Sequence, residues 1–66
     1  MTHLNTFYTE HLTRMAEGYA RLALVSDAAK AHAWSEAKLL AKRDETIYGT
    51  LPNMVVARAK ELQKHA

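Results

Sequence analysis

Only three residues in this 66-residue chain oppose continuous helix: Gly18, Gly49 and Pro52. Twelve of the others are alanine, which has the highest intrinsic helix propensity. The composition therefore predicts an all-α fold. The length allows one small domain, residues 1–66, built as a three-helix bundle.

The small size of the chain and its lack of cysteine indicate that self-association contributes to its stability. A domain this small buries about 60% of the surface that its unfolded chain exposes, and lies near the limit of independent stability. The chain has no cysteine, which excludes disulfides, thiol nucleophiles and Cys-type zinc sites. We therefore expect homodimerisation to complete the bundle.

Three helical segments are predicted, over residues 3–25, 27–43 and 51–65. Ser26 and Asp27 are residue types that cap a helix, so we place the first break there. A long kinked helix followed by a short one is the alternative, because neither Gly nor Pro separates the first two segments. Thr50 is the predicted cap of the last segment, with Pro52 in its first turn.

The first segment carries an apolar arc of roughly 140°, more than one neighbouring helix needs. The arc consists of Leu4, Phe7, Tyr8, His11, Leu12, Met15, Tyr19, Leu22 and Val25. The opposite side is polar and includes two predicted i,i+4 ion pairs, Glu10 with Arg14 and Glu17 with Arg21.

The surplus of this arc predicts a self-association surface with aromatic anchors. Its residues are Phe7, Tyr8, Met15, Tyr19 and Leu22. Gly18 lies within the arc, where it would let a second backbone approach closely. A glycine that is merely tolerated, at about 1 kcal/mol, is an equally good interpretation.

The other two segments have narrower inward stripes. These are Ala29, Ala33, Ala37, Leu40 and Ala41 in the second segment, with Trp34 on the flank, and Leu51, Val55, Ala59 and Leu62 in the third. Ile47 and Tyr48 are predicted to anchor the intervening turn onto the bundle. Leu24, Leu39 and Val56 fall on outer faces, as single exposed apolar residues often do.

A face for a partner protein is predicted to include Trp34, Leu39, Arg43 and Arg58. Arg58 lies at the edge of the third stripe, where its stem can pack while the guanidinium reaches water. Alternatively, it pairs with an acid such as Asp44 or Glu45, or with a partner's carboxylate or phosphate.

The formal net charge of +2 resides entirely in residues 27–66, which permits a nucleic-acid partner without demanding one. The cations concerned are Lys38, Lys42, Arg43, Arg58, Lys60 and Lys64. In a helix-turn-helix arrangement the last segment would enter a major groove, yet Asn53 is its one plausible base reader. A solvated charged face is the other interpretation.

Enzymatic chemistry has little basis in this sequence. There is no Gly-rich phosphate loop, nucleophile elbow or paired acid and base, so we expect no catalytic residues and no cofactor. His11 lies amid the apolar arc and is interpreted as a half-buried histidine. It forms no HxxxH or HExxH motif with His3, His32 or His65, so no metal site is expected.

The sequence lacks recognisable targeting signals, which predicts a cytoplasmic protein with no membrane partner. No apolar run approaches the roughly 18 residues of a membrane span, and the first residues lack the basic start and apolar core of a signal peptide.

The stretch from Ala33 to Ala41 reads AW-x-x-AK-x-LA, and Tyr48 to Pro52 reads Y-x-x-LP before a short basic helix. This pattern resembles small uncharacterised helical proteins encoded by phages and prophages. The resemblance implies a protein that binds and blocks a host protein, such as a defence system or transcription component. We therefore expect a non-enzymatic, homodimeric interaction module, with a DNA-binding regulator and a structural or assembly component as alternatives.

Overall fold

The computed structural model describes the backbone of residues 2–65 and the side chains of residues 8–65. It contains the helices α1 (Thr2–Ala23), α2 (Asp27–Arg43), α3 (Glu45–Tyr48) and α4 (Leu51–Lys64). The three long helices each contact the other two, and α3 packs on α2. The chain is a small all-α bundle, as the composition predicts.

The break between α1 and α2 lies at Ser26, so the alternative of one long kinked helix is wrong. Ser26 has extended backbone angles, φ −166° and ψ 168°, and its hydroxyl accepts a hydrogen bond from the N–H of Ala29 at 3.1 Å. α1 ends at Ala23, two residues before the predicted end. Val25 therefore lies in the turn, where it is 74% exposed, and its predicted inward position is wrong.

A second break, at Asp44, creates a helix that the sequence pattern did not indicate. The N–H of Asp44 donates to the carbonyl of Leu40, ending α2, and its carboxylate accepts from the N–H of Ile47 at 3.3 Å, starting α3. Gly49 follows, and a Cβ there would lie 2.5 Å from the carbonyl oxygen of Glu45. The turn after α3 therefore requires glycine for space.

The start of α4 differs from the predicted cap. Thr50 occupies the cap position with helical angles, and its side chain makes no capping hydrogen bond. Its hydroxyl instead donates to the sulfur of Met54 at 3.7 Å. Pro52 lies in the first turn, where the missing N–H would have had no intrahelical acceptor.

Alanine fills most of the interior. The buried residues are Leu12, Ala16, Ala20, Ala23, Ala33, Ala37, Leu51, Val55 and Ala59. Leu51 and Val55 are the largest of the fully buried side chains. Larger apolar groups such as Met15, Tyr19 and Trp34 pack half-buried at the margin of the core. The bundle is thus held by close helix approach around small side chains.

The buried face of α1 is rotated relative to its predicted arc. Ala16, Ala20 and Ala23 join Leu12 inside, whereas Tyr8 and Leu22 remain half-buried. Both α2 and α4 press on this face, so the small residues occupy the close contact and the bulky ones are displaced sideways. That displacement creates the surface considered next. No helix in residues 2–65 is long and apolar enough to cross a membrane.

Candidate protein-interaction surfaces

The first surface is a shallow apolar depression on one side of α1, called here the α1 patch. It is formed by Met15, Gly18, Tyr19 and Leu22. Gly18 is exposed and the other three are half-buried. Three of the predicted self-association residues, Met15, Tyr19 and Leu22, are therefore brought together on one accessible face.

Gly18 is not required by packing within the chain. A Cβ built on it meets no atom within 4 Å, and the residue lies well inside a 22-residue helix. Glycine in a helix interior destabilises it by roughly 0.5–1 kcal/mol relative to alanine. At this position glycine weakens the monomer, and nothing described within the chain offsets the loss.

The remaining predicted self-association residues lie nearer the N-terminus. Tyr8 is half-buried on α1, about two turns before Met15. The side chain of Phe7 lies outside the described residues.

A second feature is an ion-pair cluster that joins α1 and α4. Arg58 donates from Nε to Glu17 at 2.5 Å and from Nη1 to Glu61 at 2.7 Å. The other oxygen of Glu17 accepts from Nε of Arg21 at 2.7 Å. The proposed partners Asp44 and Glu45 were wrong, because the guanidinium of Arg58 pairs with Glu17 and Glu61 instead. Arg58 is therefore engaged within the chain.

The electrostatic effect of this cluster has a clear direction. The hydrogen bond from Arg58, followed by that from Arg21, holds the pKa of Glu17 below its usual value of 4.5. The hydrogen bond to Glu17, followed by that to Glu61, raises the pKa of Arg58. Sequence periodicity placed Glu17 on the solvent side of α1. No pattern within either helix identifies this pair, because it depends on how α1 packs against α4.

Of the two i,i+4 pairs predicted on α1, the structure forms Glu17 with Arg21. Glu10 and Arg14 are both exposed and form no ion pair among the described residues, so that prediction is wrong. Two flexible side chains facing water gain too little from pairing to hold one geometry.

The third feature is the α2–α4 groove, which runs between those helices with Trp34 at its centre. Ala23, Leu24, Trp34 and Ala59 line one half, of about 270 Å³, together with Ser26, Asp27, Lys30, Lys60 and Gln63. The other half is a small adjoining cavity of about 30 Å³ that shares Trp34 and is also lined by Ala37, Lys38, Pro52, Val55 and Val56. Nζ of Lys30 lies 5.7 Å from the centroid of the indole, within cation–π range.

The predicted partner-binding residues do not form one surface. Trp34 lies in the α2–α4 groove and Arg58 in the α1–α4 ion cluster. Leu39, 54% exposed, lies five residues beyond Trp34 and therefore about 140° around α2. Arg43 is exposed one turn after Leu39. Periodicity assigns a residue to a face of its own helix but does not tell which neighbouring helix covers that face.

The predicted nucleic-acid residues are also divided. Lys38 and Lys60 border the α2–α4 groove. Arg58, two residues before Lys60, points to roughly the opposite side of α4. Lys42, Arg43 and Lys64 are exposed near the helix ends. A DNA-binding regulator stays an alternative prediction.

His11 lies half-buried at the contact between α1 and α3. Its Nε2 is 3.3 Å from the hydroxyl of Tyr48, and the two rings are 6.0 Å apart. Tyr48 thus helps to hold the turn segment against α1. Within residues 8–65, no three His, Asp or Glu side chains are grouped so as to hold a metal ion.

No protein-family model, curated protein or solved structure matches this chain.

Proposed function

We propose that this chain is a non-enzymatic protein-interaction module that forms a homodimer through the α1 patch and binds a second protein. The observation that carries the proposal is the exposed glycine within the patch. Gly18 lies among Met15, Tyr19 and Leu22 and has no packing role inside the chain. A second helix backbone crossing at Gly18 would cover these apolar side chains. The absence of a side chain at Gly18 would allow the two backbones to approach closely.

The charges beside the patch favour an antiparallel crossing. With Gly18 opposite its copy, Arg14 faces Leu22 of the second copy and Arg21 faces Met15. Arginine stems pack well on such apolar side chains while their guanidinium groups reach water. A parallel crossing would instead set Arg14 against Arg14 and Arg21 against Arg21, which is unfavourable.

The small interior supports the same proposal on energetic grounds. Most buried residues are alanine, so a monomer buries little apolar area. Covering Met15, Tyr19 and Leu22 adds apolar burial that the monomer lacks. Such gains are common in chains of this size.

The resemblance of the AW-x-x-AK-x-LA pattern to phage and prophage proteins supports a proposal for the second partner. We propose a host protein, of the kind found in defence systems or transcription, reached in the host cytoplasm. We assign no catalytic residue and no cofactor.

Sedimentation velocity over a range of protein concentrations tests the dimer with two variants. Gly18→Gln adds a long helix-forming side chain where the monomer has space, so it should raise monomer stability and abolish dimerisation. Ala31→Gln makes a comparable change on the exposed face of α2 and should dimerise like the parent chain.

Two results would contradict the dimer. One is a parent chain that stays monomeric at high micromolar concentration, with a melting temperature independent of concentration. The other is a Gly18→Gln variant that dimerises as well as the parent. Species larger than a dimer would favour the structural or assembly component instead.

A further inference from the structure

The α2–α4 groove combines an apolar floor with a basic rim. Ala23 and Ala59 are buried at its base, with Trp34 half-buried between the two halves and Leu24, 41% exposed, at one end. A tryptophan that is accessible in a groove is the type of residue that dominates binding energy in protein interfaces.

Three exposed lysines stand along this groove. Lys30 and Lys60 line one half from opposite helices, and Lys38 lines the other half. Asp27 is the one acidic residue among those lining either half. The groove therefore carries a local excess of positive charge around an apolar centre.

We infer that the α2–α4 groove binds an acidic amphipathic helix of another protein. The apolar face of that helix would lie on Trp34 and Leu24, and its carboxylates would meet Lys30, Lys38 and Lys60. Asp27 and Lys38, which line its two ends, lie roughly 16 Å apart along α2, a span of about three turns of a docked helix. This assignment rests on the proposed function as an interaction module and names the chemistry of its second partner.

A peptide fits this groove better than a nucleic acid does. A phosphate backbone presents an anion at every nucleotide and is bound by extended tracks of Lys and Arg. Here the lysines alternate with apolar side chains, and Asp27 would face the phosphates. Arg58 is occupied by Glu17 and Glu61 on the other side of α4. Alternation of charge and apolar surface matches an amphipathic segment.

The ammonium group of Lys30 also interacts with the indole ring of Trp34. Its nitrogen lies over the ring at 5.7 Å from the centroid. A carboxylate that draws Lys30 away, or packs beside it, changes the electrostatic surroundings of the indole. Because Trp34 is the chain's one tryptophan, its fluorescence reports directly on occupancy of the groove.

The test uses a synthetic helical peptide of about 14 residues, with leucine at positions i, i+3, i+4 and i+7 and glutamate on the flanks. Trp34 fluorescence is followed during the titration, at low and at high salt. A second peptide carries glutamine in place of every glutamate, and a duplex DNA of about 20 base pairs forms a third arm.

Matched double variants locate the binding. Lys30→Gln with Lys60→Gln removes two charges from the groove, and Lys42→Gln with Arg43→Gln removes two from elsewhere on α2. We expect saturable binding of the glutamate peptide, weakened roughly fivefold in the groove variant and little changed in the control. The glutamine peptide should bind more weakly, and salt should weaken the glutamate peptide. Circular dichroism establishes that both variants remain folded.

Each contrary result overturns the assignment. These are the absence of saturable binding, equal losses in the two double variants, equal binding of the glutamine peptide, or DNA that binds more tightly than the peptide through the same lysines. Repeating the titration with the Gly18→Gln variant separates this question from dimerisation. Peptide binding by a monomeric Gly18→Gln variant shows that the groove acts independently of the dimer, and a parent chain that binds the peptide but stays monomeric retains this inference while removing the dimer.

Discussion

Arg58 on α4 donates from Nε to the carboxylate of Glu17 on α1 at 2.5 Å, across 41 positions of sequence. The second oxygen of the same carboxylate accepts from Arg21, one turn further along α1. Glu17 therefore has one bond that supports its own helix and one that fixes the orientation of α4 against α1. Both side chains keep partial contact with water, so the pair contributes more to register than to stability.

This arrangement predicts a pH dependence with a definite sign. The pKa of Glu17 is lower in the folded chain than its usual 4.5, so the ionised carboxylate favours folding above that value. The contribution should be lost as the pH falls below about 4.5 and through the folded-state pKa. Thermal melts between about pH 6 and about pH 3 should show a smaller fall for Glu17→Gln than for the parent chain.

Glu10→Gln is the matched control for that experiment, because Glu10 is an exposed acid on the same helix that forms no ion pair among the described residues. Its acid dependence should follow the parent chain. If Glu17→Gln loses as much stability on acidification as Glu10→Gln does, Glu17 has no special role.

The two glycines should respond to alanine with opposite signs. Gly18→Ala places a methyl group in open space and improves helix propensity, so the monomer should gain about 0.5–1 kcal/mol. Gly49→Ala places a Cβ 2.5 Å from the carbonyl oxygen of Glu45, so the turn should shift at a loss of about 1–3 kcal/mol. Chemical denaturation at low protein concentration measures both, and a loss of stability in Gly18→Ala would contradict the assignment of space around it.

Truncation of Leu51 should nearly unfold the chain. Leu51 is fully buried at the start of α4, and Leu→Ala in such positions destabilises by about 2–5 kcal/mol. That range matches the whole stability expected from a core of this size. Leu39→Ala, on the exposed face of α2, should change stability by no more than about 0.5 kcal/mol. Similar melting temperatures for the two variants would contradict the burial of Leu51 in the core.

Alanine substitution should affect stability differently at the two hydroxyl residues that precede helices, Ser26 and Thr50. Ser26→Ala removes a side-chain cap from α2 and should destabilise the bundle by about 1 kcal/mol. Thr50 makes no capping hydrogen bond, so Thr50→Ala should change stability by only a few tenths of a kcal/mol. Urea titrations measure the free energy of unfolding of both variants. A larger loss of stability in Thr50→Ala than in Ser26→Ala would contradict the assignment of Ser26 as the capping residue.

Much of the fold follows from local sequence signals. The bounds of α2 and the break at Ser26 agree with cap chemistry, and the buried alanines of α2 agree with helical periodicity. α3 was missed because its start depends on one capping bond from Asp44 and its length is four residues. Periodicity rarely detects so short a helix.

The surfaces were less predictable than the fold. The α1 patch follows from the sequence because its residues share one helix, whereas the α2–α4 groove and the pairing of Glu17 with Arg58 depend on how separate helices meet. Helical phase places Trp34 and Lys60 each on a flank of its own helix. Their meeting in one groove depends on the orientation of α2 against α4, which no local pattern encodes.

The alanine interior has a consequence for how this sequence can diverge. In a core of large residues, Leu, Ile, Val and Met usually replace one another during evolution. A gain in volume at one position is compensated by a loss at a neighbouring one. Ala20, Ala33 and Ala37 have no exposed surface, and they lie where two helices approach closely. A larger side chain at these sites would force the packed helices apart, so we expect only residues of similar size to be accepted there. Lineages descending from this chain would therefore retain a spaced set of small residues long after their surfaces had ceased to resemble one another.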